Sequence, residues 1–527
     1  MNMAGALKKG MTKRGEYARM HKTDTFTMIF KRLLATLLMA LPLMAAEKPR
    51  AVVIFYTDDL GYNDTSTYGC DKVPCPNLDK LAAEGVKFTD AHSTHSVCTP
   101  SRYSLLMGEY AWRKKGMQIL PGDAKMILPT KEEQASLPSL MQQAGYRTAV
   151  IGKWHLGLGR GTQPTDWNNH ISPGPNEVGF DHSFILAATG DRVPCVYIEN
   201  GNVVNLDPND PIEVSYDKPF PGEPLGSTHP QLLKPWARSN GPQHNCAIID
   251  GIPRIGYMRG GKSALWKDQD MADRITEEAI KFIRESAQMD KPIFLYFATN
   301  DIHVPRDPHF RFKGKSQMGI RGDVTVQMDD CLGRLRAALN ENGYEDCLFI
   351  FSSDNGPVIN DGYFDGSIRD CKGHNPVAPM SAGKWRDGKL TGGKYGIMEG
   401  STRVPFIVCW PGHTPQGTES PALMSQVDLA RTITELVGAN IPASALPDSR
   451  NLLPALLGQD TVGAPYIIES DNGRTQAMRK GQYKVYDSGK QKHLYDLQND
   501  LREENNLKDK KPGLYRSIKL QWSDRER

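Results

Sequence analysis

The chain has 527 residues, 39% apolar and 24% charged, with 36 prolines. Such a length and mix describe a folded protein, either one large domain with a smaller one or two to three ordinary domains, and exclude a disordered or fibrous chain. Its 64 Lys and Arg against 61 Asp and Glu leave a net charge of +3, which does not mark a nucleic-acid binder.

The first segment differs from the rest. Lys31 and Arg32 precede the apolar run LLATLLMALPLMAA, which ends in small residues at Ala45 and Ala46 and gives way at once to EKPR. A charged start, a short apolar stretch and a small-residue exit predict a secretory signal over residues 1–46, and Pro42 argues against a buried helix there. Met28 stands directly before IFKRLL, which fits an over-extended gene start over residues 1–27. Residues 1–46 hold eight Lys and Arg and two Asp and Glu, a net of +6; without them the total of +3 becomes −3. The exported chain is expected to be periplasmic or secreted. No cysteine follows the apolar run closely enough to suggest lipidation, so no stable membrane anchor is expected.

AVVIFY (51–56) opens a series of short β-rich runs, and TDDLG after it carries Asp58 and Asp59. CTPSR follows, with Cys98, Pro100 and Arg102. Proline is favoured at the first helical position, which predicts that Cys98 stands at the mouth of a helix running through YSLLMG. Backbone amides at such a mouth attract anions, and Arg102 is placed to hold negative charge or the Cys98 side chain. A cysteine simply buried in a helix cap fits these five residues equally well. RTAVIG (147–152) leads into GKWHLG, where Lys153 and His155 lie on one side of an extended segment. From about 160 to 265 the chain is rich in Pro, Gly and Asn with little periodicity, which predicts substrate-facing loops.

Met271, Ile275, Ala279 and Ile283 predict a helix before the run IFLYFAT (293–299), and TNDIH with His303 follows that run. Val324, Met328, Leu332, Leu335 and Leu339 predict a second helix, stopped at Gly343. CLFIFSS (347–353) leads into SDNG, with Asp354 and Asn355. Lys394 lies in the glycine-flanked loop LTGGKYGIMEG, ahead of PFIVCW (405–410). YIIES, MRKGQYKVY and HLYDLQND read as antiparallel strands of a small C-terminal subdomain. The expected division is a large domain over 47–455 and a subdomain over 456–527.

Runs alternating with helices predict an α/β fold on a largely parallel sheet. In such sheets ligands gather at the carboxyl ends of strands, so the polar clusters after four runs are expected to converge on one site. Asp58, Asp59, Asp354 and Asn355 would bring together three carboxylates and an amide oxygen. Crowded carboxylates repel unless a cation joins them, and an all-oxygen set suits calcium, then magnesium, better than zinc. As single dipeptides, DD and DN are more often caps or turns. Lys153, Lys394 and Arg102 beside a divalent cation would make a pocket for sulfate or phosphate. The nine cysteines include no CxxC pair, give no zinc framework, and by their odd number leave at least one unpaired within the chain.

Taken together, VVIFYTDDLGYND, CTPSRYSLLMG, IGKWHLG, HVP, FSSDNG, GGKYGIMEGSTRVPFIVCWPG and LYDLQNDLREENNL resemble the type I sulfatases of the alkaline phosphatase-like superfamily over almost the whole mature chain. CTPSR is similar to that family's C-x-P-S-R signature, whose cysteine is oxidised to formylglycine (3-oxoalanine). The resemblance implies a large, mostly parallel mixed sheet sandwiched by helices with a smaller C-terminal α+β subdomain. It implies that Asp58, Asp59, Asp354, Asn355 and the modified Cys98 hold a calcium ion, that Arg102 steadies the aldehyde, and that Lys153, His155, His303 and Lys394 contact the sulfate or move protons. In the implied mechanism a hydroxyl of the hydrated aldehyde attacks sulfur and Asp354 takes its proton; His303 protonates the leaving alkoxide, and His155 deprotonates the second hydroxyl to release sulfate. The required partners are a sulfated carbohydrate and, during biogenesis, a formylglycine-generating enzyme. One departure is MEGSTR, where family members more often have a WEGG-like run.

The loop ATGDRVPCVYIENGNVVNLDPNDP resembles exo-acting members that take sulfate from the 6-position of galactose or N-acetylgalactosamine. Asp191 and Arg192 are candidates for gripping the sugar; an ion pair confined to the loop fits them as well. The rival readings are another sugar or position, a phosphatase or phosphonate monoester hydrolase of the same superfamily, a non-catalytic glycan-binding protein, and a thiol protease that keeps Cys98 as a thiol.

Overall fold

The computed structural model describes residues 48–526, save 240, 382–384, 387, 388 and 391. The expected secretory signal over 1–46 lies outside the described residues. Continuous apolar runs make strands buried on both faces, and the five runs read from the sequence all lie in one sheet. Its strands are β1 (Ala51–Thr57), β2 (Val86–Phe88), β3 (Arg147–Lys153), β4 (His182–Leu186), β5 (Tyr197–Glu199), β6 (Asn202–Val203), β7 (Ile293–Ala298), β8 (Cys347–Ser353), β9 (Phe406–Cys409) and β10 (Thr418–Ser420). They run across the sheet in the order β10-β2-β9-β8-β1-β7-β3-β4-β5-β6. The centre, β8 to β4, is parallel. Beyond it β9, β2, β5 and β6 pair antiparallel.

Helices cover the sheet. The stripe from Met271 to Ile283 lies on the helix Met271–Gln288, and the stripe from Val324 to Leu339 on the helix Gly319–Glu341; both stripes are buried. The segment 160–265 is more ordered than its composition suggested, because it adds β4, β5 and β6 to one side of the sheet and two short antiparallel strand pairs. Strands of two to five residues are too short to register as periodicity.

The C-terminal runs form a separate antiparallel sheet of β11 (Ile467–Ser470), β12 (Gln476–Lys480), β13 (Tyr483–Ser488) and β14 (Gln491–Asp496). Met478, Val485 and Leu494 from it pack with Tyr515, Ile518 and Trp522 of the helix Pro512–Glu526. A buried ionic cluster ties this sheet to the larger one. Lys484 reaches Glu399 at 3.0 Å and Glu469 at 3.2 Å, His92 reaches Glu469 at 2.8 Å, and Arg403 reaches Glu399 at 2.5 Å. Glu399 and Arg403 belong to the MEGSTR run, so that run serves the junction. All nine cysteines are free. Among the described residues no helix is long and apolar enough to cross a membrane.

Candidate active site

Strand register assembles the site. Thr57 of β1 lies level with Ser353 of β8, so Asp58–Asp59 and Asp354–Asn355 leave the sheet side by side. On the other flank of β1, Ala298 of β7 pairs with Gly152 of β3, which brings Lys153 to the same rim. Gly152 has φ +103°, and a Cβ there would lie 1.9 Å from the Ala298 carbonyl oxygen. Only glycine allows that approach.

Cys98 is the first residue of the helix Cys98–Met107, all ten residues of which are buried. The helix starts two residues before the start inferred from Pro100. Proline is tolerated throughout the first turn, where no N–H has an intrahelical acceptor, so it marks the turn and not the position. Burial pushes the Cys98 thiol pKa up, against the opposing pull of Lys153 and Lys394. A thiol held protonated in this way is a poor nucleophile, which speaks against the thiol-protease reading.

Arg102, one turn on, is fully buried. Its Nε and Nη2 donate to Asp354 Oδ2 at 3.0 and 2.8 Å, and its Nη1 donates to the Tyr296 hydroxyl at 3.2 Å and the Lys153 carbonyl at 3.4 Å. Its guanidinium also stands over the Tyr56 ring, 5.3 Å from the centroid. The arginine thus locks Asp354 to the Cys98 helix. Lys153 Nζ donates to Asp58 Oδ2, and Lys394 Nζ to Asp59 at 2.9 Å.

Both histidines have tautomers set by backbone carbonyls. His155 Nε2–H donates to the Leu120 carbonyl at 2.8 Å, leaving Nδ1 buried and without a partner. The Thr99 hydroxyl donates to the His155 carbonyl at 3.0 Å, so the His155 backbone meets the first turn of the Cys98 helix. His303 Nδ1–H donates to the Val304 carbonyl at 2.7 Å, and its Nε2 stands 3.7 Å from Asp59 Oδ2 and 3.9 Å from Asp361 Oδ2. Burial holds both imidazoles well below their ordinary pKa, helped by Lys153 at His155 and by Lys394 at His303.

The carboxyl cluster bears on metal binding. Asp58 Oδ1 and Asn355 Oδ1 are buried and lack any hydrogen-bond partner, whereas the Asn355 amide nitrogen donates to Asp59 Oδ1 at 2.7 Å. Asp58, Asp59 and His303 offer ligand atoms within 4.8 Å of one another. Burial and the neighbouring Asp354 push the Asp58 carboxyl pKa well up. Unsatisfied buried oxygens among crowded carboxylates are what a hard divalent cation relieves, so these residues fit a calcium-type ion.

Asp191 and Arg192 pair with each other at 2.8 Å, and Asp191 Oδ2 also accepts from His244 Nε2 at 3.0 Å. The Asp191 carboxylate is therefore spent within the protein. The Arg192 side chain stays partly open and lies near enough to feel the charges of Cys98 and Asp361. Two residues at the site escaped the sequence reading. Asp361 lies 3.8 Å from Lys394 Nζ and accepts from the Tyr395 hydroxyl at 3.1 Å; His244 holds Asp191. Both stand in aperiodic loops with no run or motif to single them out.

The comparisons agree with this geometry. The sulfatase family profile matches residues 50–439, and a profile for the C-terminal part of N-sulphoglucosamine sulphohydrolase matches residues 393–524. Over 490 residues the chain is 44% identical to N-acetylgalactosamine-6-O-sulfatase of Bacteroides thetaiotaomicron, covering 90% of this chain and 92% of the relative. Over 466 residues it is 28% identical to the N-acetylgalactosamine-6-sulfatase of Rattus norvegicus, covering 86% of this chain and 75% of the relative. A solved structure concerned with the metabolism of multiple glycosaminoglycans by Bacteroides thetaiotaomicron has a TM-score of 0.85 and 42% identity, covering 91% of this chain and 100% of that one. With a family profile across most of its length and the acidic, basic and cysteine side chains gathered at one rim of an alkaline phosphatase-like sheet, the chain belongs to the sulfatase family and is a sulfuric ester hydrolase.

Proposed function

We propose that the protein removes sulfate from O6 of galactose or N-acetylgalactosamine at the ends of sulfated glycan chains. The observation that carries this reading is the 44% identity, across nearly the full length of both chains, to an N-acetylgalactosamine-6-O-sulfatase. Asp58, Asp59, Asp354 and Asn355, with the side chain at position 98, would hold a calcium ion, which when bound supplies positive charge to the sulfate and acidity to an oxygen nucleophile. Formylglycine made from Cys98 supplies that nucleophile as a hydrated aldehyde.

The remaining steps fall to side chains whose geometry supports them. Five carboxylates (Asp58, Asp59, Asp191, Asp354, Asp361) meet four cations (Arg102, Lys153, Arg192, Lys394), so a divalent ion would bring the pocket to +1, a field suited to a sulfate ester. Lys153 and Lys394 bind sulfate oxygens, and Arg102 orients the group at position 98. The resemblance gives the first proton to Asp354, whose oxygens accept from Arg102 and the Asp59 N–H. The Asp354 Oδ1, holding one 3.3 Å bond, keeps a lone pair for that proton, while the free Asp58 Oδ1 is left for the cation. His155 Nδ1, buried and unpartnered, takes the second proton. His303 is the acid for the departing O6: it must first take a proton on Nε2, against the burial and the Lys394 charge that lower its pKa, and Asp191 and Asp361 are the carboxylates that favour the charged ring. Arg192, held by Asp191 and His244, reaches sugar hydroxyls.

Residues 1–46 direct export to the periplasm or beyond, and a maturing enzyme oxidises Cys98 during biogenesis. The catalytic domain is 47–455 and the C-terminal subdomain 456–527. A panel of position-defined sulfated monosaccharides tests the reading by release of free sulfate. Turnover of 6-sulfated galactose or N-acetylgalactosamine is expected; inactivity on both, with activity at another position or on an aryl phosphate, would overturn it.

A further inference from the structure

A cavity of about 400 Å³ is lined by His95, three residues before Cys98. One wall is the stretch 111–118, which follows the Cys98 helix; the other is the turn between β11 and β12. The turn is tied to the segment around His95, because the Ser96 N–H donates to the Ser470 carbonyl at 3.0 Å and the Ser470 N–H to the Thr94 carbonyl at 3.1 Å. The Tyr395 N–H donates to the Ser96 carbonyl at 3.1 Å, so Lys394 abuts the same strip of backbone. Three residues of chain span at most about 10 Å, which leaves the cavity wall at His95 within reach of a sugar joined to the one at Cys98.

The wall is basic and rich in unused polar groups. Lys115 and Arg474 line it, are exposed, and have no ion-pair partner among the described residues. Asp471, the carboxylate in the wall, accepts from the Thr475 N–H at 2.6 Å and is committed to the turn. Arg474 takes φ +68° at the tip of that turn, a conformation costly for a residue with a side chain. Trp112 Nε1 and Gln476 Oε1, in side chains that line the cavity, are buried and have no hydrogen-bond partner. A hydroxyl, both donor and acceptor, could serve either atom. His95 Nδ1 accepts from the Val97 N–H at 3.2 Å, so its Nε2 carries the proton and is a further neutral donor.

We propose that this cavity binds an anionic sugar linked to the residue being desulfated, its carboxylate or sulfate held between Lys115 and Arg474 and its hydroxyls by Trp112, Gln476 and His95. The assignment rests on the glycan sulfatase reading and adds a preference for acidic glycans over free monosaccharides. A neutral neighbouring sugar would leave both cations without a counter-charge.

The test uses the mature full-length protein and substrates that share a terminal 6-sulfated N-acetylgalactosamine: the monosaccharide, and disaccharides whose second sugar is neutral, a uronate or sulfated. Wild type should show a KM about tenfold lower for an acidic disaccharide than for the neutral one. Lys115→Glu with Arg474→Glu should abolish that advantage, with kcat and monosaccharide turnover unmoved. Whichever acidic disaccharide is preferred identifies the anion as carboxylate or sulfate. Equal KM values for acidic and neutral disaccharides in wild type, or a variant that loses monosaccharide turnover equally, would overturn the assignment. Should no 6-sulfated sugar be turned over, the functional reading fails and calorimetric titration of the sulfate-free uronate disaccharide judges the cavity. Binding that the double variant loses keeps the assignment; no binding to wild type removes it.

Discussion

Arg102 shows how much one residue does at this site. It makes two hydrogen bonds to Asp354 and one to Tyr296 while fully buried, so it fixes the geometry between the Cys98 helix and the end of β8. Lysine keeps the charge but cannot form the fork. Arg102→Lys should cost about 3 kcal/mol of stability in denaturant unfolding and lower kcat about a hundredfold. A variant of wild-type activity would remove the arginine from the account. The sequence made Arg102 conspicuous through its place in CTPSR. It could not show that the arginine's main partner is an aspartate 252 positions away, because that contact comes from strand register.

The five core strands were legible at the element scale because strands buried on both faces read as unbroken apolar runs, and the polar residues after them had to fall at the sheet's rim. β4 to β6 were not legible, being short strands of five, three and two residues inside a loop-rich stretch. The join between β3 and β7 depends on Gly152, so Gly152→Ala, with its Cβ against the Ala298 carbonyl, should destabilise the fold by several kcal/mol, about 3 or more. A shift of the denaturant midpoint within error would contradict this. A second element contact is pH-dependent. Burial would lower the His374 pKa, but its bond to Asp64 and its contact with Cys70 raise it from 6.5 to about 9. A folded-state pKa above the unfolded one stabilises the protonated ring, so the contribution is whole below about pH 6.5 and fades as pH rises through about 9. Allowing for partial exposure it amounts to about 2 kcal/mol. His374→Ala should therefore destabilise at pH 6 and be near neutral at pH 10; an equal loss at both would show a packing role alone.

For the whole molecule, the carboxyl ends of β1, β3 and β8 and the mouth of one helix turn a common sheet into a charged pocket, and the C-terminal sheet is tied to the MEGSTR run through Lys484 and Glu399. If calcium completes the pocket, calcium at about a hundred times its Kd should raise Tm by about 3–5 °C over the chelated protein. Asp58→Asn with Asp354→Asn should erase the rise, and an equal rise with magnesium would remove the preference for calcium. The claim on which the rest stands is that Cys98 is a precursor and not a working thiol. Peptide mass spectrometry across residue 98, on protein made in a host that supplies a competent maturing enzyme, tests it most directly. An aldehyde mass at position 98, in proportion to sulfatase activity across preparations, is the predicted result; full activity in protein whose Cys98 remains a thiol would contradict it.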